Sequence, residues 1–144
     1  MKVEIFTLCD AETNYNGKLN ILGTFDTIFS NTVPIIYPQC SVAVRLRFFR
    51  IEEGDHQVTI NITDTNKKSV LQPLIAGVKI NFNKTGPDSL ATNLILNIHG
   101  LKLDKFGDYI INLAIDGRQE SILPLLVKEA PKTLKESPDP SNYN

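Results

Sequence analysis

The chain is predicted to fold as an all-β protein, a two-sheet antiparallel sandwich of about eight or nine strands. Three observations lead there. Short apolar runs follow one another along the chain, separated by Asn, Asp, Gly and Pro. Two of these runs alternate apolar and polar residues with the period-two pattern of a half-buried strand. One phrase also occurs twice, 53 residues apart (Gly54 to Gly107): Gly-Asp-aromatic, an alternating apolar run, an acidic stop and a later Pro-Leu.

In chain order, Lys2–Leu8 reads as a strand from the start. Asn14-Tyr15-Asn16-Gly17 is a turn, because Asn-Gly tolerates the positive φ of a tight hairpin. Leu19–Phe29 follows as one strand interrupted by Gly23. Leu19, Ile21 and Phe25 share a parity that Leu22 and Ile28 do not, so a β-bulge or a bend between sheets is expected at Gly23. Cys40–Arg50 alternates cleanly: Cys40, Val42, Val44, Leu46 and Phe48 take the core face, and Ser41, Ala43, Arg45, Arg47 and Phe49 the wet one. His56–Asp64 carries the first copy of the phrase, with His56, Val58, Ile60 and Ile62 on one side. Ser69–Leu74 and Ala76–Asn83 are the next strands. Asn93–Ile98 is another, with Leu90 to Leu96 ambiguous in period and Leu101 to Phe106 able to hold a short helical turn. Tyr109–Asp116 carries the second copy. Asp116-Gly117 turns it into the last strand, Gln119–Val127. Residues 1–128 thus read as one sandwich domain. Residues 129–144, with Pro131, Pro138, Pro140 and little to bury, read as a disordered tail.

Composition narrows function by exclusion. Hydrophobic content of 42% and charged content of 22% describe an ordinary globular chain of 144 residues. Lys and Arg number 15 against 16 Asp and Glu, a formal charge of −1. No basic excess exists to neutralise a phosphate backbone or an anionic membrane, so neither nucleic acid nor membrane is an expected partner. No run approaches the roughly 18 apolar residues of a membrane span. The start of the chain lacks the apolar stretch of a secretory leader, so a cytoplasmic location is expected. Cys9 and Cys40 then read as small buried hydrophobes rather than a disulfide.

The segment from Gly107-Asp108-Tyr109 to Gly117 resembles the late strand pair of immunoglobulin-like bacterial sandwiches. The chain departs from antibody domains in having no Trp, and Ile111 stands where their second disulfide cysteine falls. A broader resemblance spans about Met1 to Val127. It is carried by Met1 to Asp10, Asn16-Gly17-Lys18-Leu19, Leu22 to Ile28 and Pro38-Gln39-Cys40. Arg45-Leu46-Arg47-Phe48 and Asn97 to Lys102 complete it. On these residues the chain is similar to an uncharacterised family of short bacterial proteins, a domain of unknown function. That resemblance implies a stand-alone, immunoglobulin-like β-sandwich, and it implies no activity, cofactor or site.

Catalytic chemistry finds little purchase. Only two histidines occur, neither with a Cys or carboxylate at metal-ligand spacing. His56 takes the place of Tyr109 in the repeated phrase, which points to packing, and His99 lies at an expected strand end. No Gly-x-Ser-x-Gly or phosphate-cradling loop is present, and Cys9 has no histidine near it in sequence. No enzyme activity and no cofactor are therefore expected. Asp10, Asp26, Asp64, Asp104 and Asp116 all close expected strands. They are read first as turn formers and second as loops that would have to converge to give calcium its six to eight or so oxygens. Arg45, Arg47 and Arg50 form the most prominent charged cluster. Arg45, Arg47 and Phe49 share a face, and arginine beside an exposed aromatic is enriched at protein interfaces. The expected function is a non-enzymatic protein-interaction or structural module that binds a protein or itself through that surface. A small-ligand or calcium site at one loop end is the alternative.

Overall fold

The computed structural model describes residues 1–131, so the expected tail lies almost wholly outside the described residues. Nine strands form two sheets, and no α-helix occurs among the described residues. Sheet A has the order β2-β1-β4-β7, with β1 Lys2–Tyr15, β2 Lys18–Thr24, β4 Ile35–Phe49 and β7 Ser89–Leu103. Sheet B has the order β3-β9-β8-β5-β6, with β3 Thr27–Ser30, β5 Gly54–Asp64, β6 Leu74–Ile80, β8 Gly107–Ile115 and β9 Arg118–Glu129. All neighbours are antiparallel except β3 and β9, which run parallel. One short 3-10 turn, Arg50–Glu52, links β4 to β5.

The core lies between the sheets and follows the period-two pattern. Val42, Val44, Leu46 and Phe48 of β4 face Val58, Ile60 and Ile62 of β5 and Ile111 and Leu113 of β8, all fully buried. β4 and β7 change phase together. Ile35 and Tyr37 pack on the core, but from Cys40 onward the even residues do; opposite them, Leu101 and Leu103 give way to Ile98 and Leu96. Gly100, at φ +63°, sits at this switch. Leu101 to Leu103 is strand, not the helical turn expected, because β4 continues to Ile35 and supplies its ladder.

Gly23 marks the exchange between sheets. The single strand expected over Leu19–Phe29 is two: β2 ends in sheet A at Thr24, and β3 begins in sheet B at Thr27. Gly23 adopts φ +65°, and a Cβ there would fall 2.6 Å from Asp10 Oδ2. A side chain there is thus disfavoured by the positive φ and would displace the Asp10 carboxylate beside it. Ser69–Leu74, expected as a strand, makes only an isolated bridge from Ser69 to Thr63, and the strand starts at Leu74.

The two copies of the repeated phrase are β5 and β8, and they are neighbours in sheet B, paired from Val58↔Ile115 to Asp64↔Tyr109. They do not occupy separate halves of the fold. Each aromatic head reaches back to the main chain four residues earlier: His56 Nε2 lies 2.6 Å from the Glu52 carbonyl, and the Tyr109 hydroxyl donates to the Lys105 carbonyl at 2.9 Å. The phrase therefore encodes a strand start locked by a ring-to-backbone corner, used once at each end of an antiparallel pair. Both Asn16-Gly17 and Asp116-Gly117 are hairpin turns with two consecutive positive φ angles, as expected.

The largest departure from expectation is on the far face of sheet A. β1 pairs with β4 only from Lys2 to Cys9, and with β2 only from Cys9 to Tyr15. Beyond Cys9 the β1–β2 hairpin is an arm. Its tip reaches across to β7, where Asn93 Nδ2 donates to Asn14 Oδ1 at 3.3 Å and to the Gly17 carbonyl at 3.1 Å. Asn93 stands opposite Arg45 on the face turned away from the core. The arm therefore lies over that face, and Ser41 and Ala43, expected wet, are 2 and 0% exposed, while Cys9 is buried as expected, at 0%. β4 is buried on both sides over its middle third. Replacing Asn93 by Ala is expected to free the arm: amide exchange at Asn14 to Gly17 rises sharply, while global stability falls by only about 1 kcal/mol.

Candidate functional site

Arg45 and Arg47 project from β4 on the arm side of sheet A, and β1 delivers Glu4 between them. Arg45 Nε and Arg47 Nη2 lie 3.3 and 3.2 Å from the same Glu4 oxygen. A register shift between Val3 and Ile5 turns Glu4 to this face. The hydrogen bond from Arg47 holds the Glu4 carboxyl below its usual range. Each guanidinium makes one further bond: Arg45 Nη1 donates to Asn93 Oδ1 at 2.8 Å, and Arg47 Nη1 to Ser89 Oγ at 3.0 Å. Arg47 is thus paired with Glu4, and Glu53 accepts from the Phe82 N–H. Arg50 clamps the β6–β7 loop through the Asn83, Gly86 and Pro87 carbonyls and lies over the Phe82 ring. Phe49, 43% exposed, stands at the strand end.

His56 sits in a small cleft with Glu52, Asp116, Arg118 and Glu120. Its ring stacks on Phe48 with centroids 4.7 Å apart, which is the packing role expected. Nδ1 lies 2.7 Å from Asp116 Oδ2, and Nε2 meets the Glu52 carbonyl. With acceptors at both nitrogens the imidazolium form is favoured, and the Asp116 hydrogen bond raises His56 above its usual value. Neither ring nitrogen keeps a free lone pair for proton abstraction or for a metal. Asp116 is held low by the Gln57 N–H and by His56. Burial pushes Glu52 up, but bonds from the Met1 amino group and the Phe49 N–H outweigh it and bring it below the usual range.

The other acidic residues disperse. Asp64 Oδ1 accepts from Asn66 and Lys68 N–H, a turn-forming role. Asp64 and Asp104 do line one cleft, together with Lys68, Lys102, Lys105 and Asp108. Asp116 lies in the separate His56 cleft, and Asp10 lies inside β1, where it accepts from the Tyr37 hydroxyl. Among the described residues no three His, Cys, Asp or Glu side chains gather closely enough to hold a metal ion. Cys9 lies within β1. Burial pushes both the Cys9 and Cys40 thiols up to about 11, and they are not bonded to each other. His99 lies exposed opposite Gln39.

Two polar groups that sequence reading passed over are buried without partners. Both Glu12 carboxyl oxygens lack a hydrogen bond, and burial pushes this group up to about 7. Glu12 belongs to the arm, and its carboxyl lies close enough to Cys9 to help raise that thiol. Asn61 Oδ1 is the other, opposite Asn112 in sheet B.

Asn61 stands in the middle of the solvent face of sheet B, which differs from every other surface described above. Three cross-strand rows run over β9, β8, β5 and β6: Pro124–Ile110–Thr63, Ile122–Asn112–Asn61, and Ala114–Thr59–Ile75. None of these nine residues is charged. Ile75, Ile110 and Ile122 are 62, 39 and 52% exposed, and Phe29 of β3, 51% exposed, extends the face at its far edge. Charges return only at the rim, with Asp55 opposite Lys79 on one side and Asp108 and Lys128 on the other. A solvated antiparallel face ordinarily alternates apolar-in with charged or polar-out. Here Thr and Asn alternate with exposed isoleucine across the strands, and charge is confined to the rim. Sequence reading missed it because each strand contributes only one to three of these residues, and their adjacency depends on register.

Residues 4–128 match the model of one protein family, described as Family of unknown function (DUF6941). The chain belongs to this family. Comparison with curated proteins finds no match. The family match covers both sheets, from β1 to all but the last residue of β9, and thus the arm, the arginine row and the apolar face. No helix among the described residues is long and apolar enough to cross a membrane.

Two pH responses follow. Lowered Asp116 contributes stability above the usual aspartate value and loses it as pH falls. Raised His56 contributes below about pH 6.5 and loses it as pH rises through its folded value. Wild type should therefore lose melting temperature as pH rises above about 6.5, and Asp116→Asn should flatten that decline. Glu12 has the opposite effect to Asp116. Its carboxyl stays protonated in the fold up to about 7 while the unfolded chain ionises near 4.5, so stability declines across that window. Glu12→Gln should gain about 1 kcal/mol at pH 8 and nothing at pH 4 in urea titrations.

Proposed function

We propose that this domain is a non-enzymatic protein-interaction module whose docking surface is the solvent face of sheet B, and whose partner presents a flat, uncharged, largely apolar surface. One observation carries the reading: nine neighbouring outward residues on four strands carry no charge, with Ile75, Ile110 and Ile122 exposed. Fully burying an exposed isoleucine is worth roughly 1.5–3 kcal/mol, and these three, about half exposed, offer a partner the unburied share of that. The Thr and Asn side chains between them supply hydrogen bonds without the desolvation cost of a charge.

Arg45 and Arg47 fit this function less well. Their guanidinium groups are already engaged by Glu4, Asn93 and Ser89, and a partner would have to displace those contacts. Phe49 adds one exposed ring beside them. His56, with both nitrogens occupied, supports a structural rather than a catalytic role.

The test is differential. Wild type and an Ile110→Glu/Ile122→Glu variant, shown to melt alike, are used as bait in lysate of the source cells. Proteins retained by wild type and lost at least about tenfold with the variant, equivalent to about 1.4 kcal/mol, are the expected result. Identical retention by both would remove this face as the docking surface.

A further inference from the structure

Beyond its own ladder, side-chain hydrogen bonds tie the β1–β2 arm down at its base and at its tip. At the base the Tyr37 hydroxyl donates to Asp10, and at the tip Asn93 holds Asn14 and Gly17. The base is also where β1 leaves β4: Cys9 pairs with Ser41 on one side and with Thr24 on the other, next to Gly23 at φ +65°. Between these ties stands Glu12. It shares a face of β1 with Asn14, two residues on, and Asn14 is the residue held by β7, so this face is turned toward sheet A. Both Glu12 carboxyl oxygens are buried and accept no hydrogen bond.

No cation compensates for that burial. The titratable and charged groups on this side are Glu4, Cys9 and Asp10 of β1, Lys18 of β2, Arg45 and Arg47 of β4, and His99 and Lys102 of β7. Arg45 and Arg47 are held by Glu4, and Lys102 by Asp104. Burial alone pushes the Glu12 carboxyl up to about 7. A neutral carboxyl is tolerable in such a place, whereas an unpaired carboxylate is among the costliest groups a fold can enclose.

We propose that the arm is a pH-gated flap: it lies closed while Glu12 is protonated, and loss of that proton lifts it about the paired residues Cys9 and Thr24, uncovering Ser41, Ala43 and Ile95 of sheet A. Ala43 and Ile95 are opposite one another on β4 and β7. The closed arm holds the proton more tightly than the open arm, whose carboxyl has the ordinary value of 4.5. Raising the pH from there therefore multiplies the open population by up to ten per pH unit, about 300-fold in all, and the increase levels off above about 7. The flap is independent of the docking face of sheet B.

Cys9 reports the opening. It stands opposite Ser41 and is buried on the arm side, outside the inter-sheet core to which Cys40 belongs. The full chain and its Glu12→Gln variant are treated with N-ethylmaleimide from pH 5 to 8, and peptide mass spectrometry gives the initial rate at each cysteine. Taking the ratio of wild type to variant at each pH cancels the dependence on thiol ionisation. The Glu12 charge raises the Cys9 thiol, which slows wild type and so opposes the effect sought. The ratio at Cys9 is expected to rise at least about thirtyfold over this range. At pH 8 Cys40 should react at least about tenfold more slowly than Cys9. Asn93→Ala, which unties the tip, should speed Cys9 at every pH. A ratio constant with pH would give Glu12 a structural role only and overturn the proposal. Equal rates at Cys9 and Cys40, which mean that the whole fold opens, or a Cys9 rate unmoved by Asn93→Ala, would overturn it as well.

Discussion

β4 is the strand on which the rest of the molecule depends. It pairs with β1 on one side and along its whole length with β7 on the other. Its inward residues form the centre of the core, and over Cys40 to Val44 its outward residues are buried as well. A main chain enclosed this way has no route to water, so each of its N–H and C=O groups must be met by a neighbouring strand. That requirement holds β1 and β7 in register, and through them the arm, the arginine row and the free edge of β7. Charge appears on β4 only past the covered stretch, at Arg45 and Arg47, where Glu4 meets both guanidinium groups.

The two sheets solve the problem of their outer faces differently. Sheet A folds part of itself back over its own surface, at the cost of burying the Glu12 carboxyl without a partner. A group in that position remains neutral in the fold, and the arm is anchored elsewhere, through Asn93. Sheet B leaves its outer face open and leaves it uncharged. The repeated phrase contributes to both outcomes. Its core faces pack β5 against β8, and its outward residues, Thr59, Asn61 and Thr63 with Ile110, Asn112 and Ala114, form the centre of the open face.

Much of the architecture was legible from residue pattern. Alternation located the core faces of β4, β5 and β8, and Asn-Gly and Asp-Gly located two hairpins. The parity break at Gly23 located the passage from sheet A to sheet B. These are local consequences of backbone preference and side-chain period. Errors arose where a distant segment intervened. Ser41 and Ala43 alternate like wet residues because they are small and polar or neutral, and only the arm, from thirty residues away in sequence, buries them. His56 read as a packing ring and is one, yet its ion pair with Asp116 spans sixty residues.

The sequence by itself determined that this chain forms two sheets, where its main turns lie, and which face of most strands is apolar. Those properties follow from period, turn chemistry and glycine, all read within a few residues. Tertiary structure alone decided which strands are neighbours. It made the two repeated segments partners rather than counterparts, laid the hairpin arm across sheet A, and gave Arg45 and Arg47 the carboxylate of Glu4. It also gathered scattered isoleucines into one face and left β7 at an edge. Each of these is a matter of register and strand order. They are set by the joint burial of the whole core, which no short stretch of sequence contains.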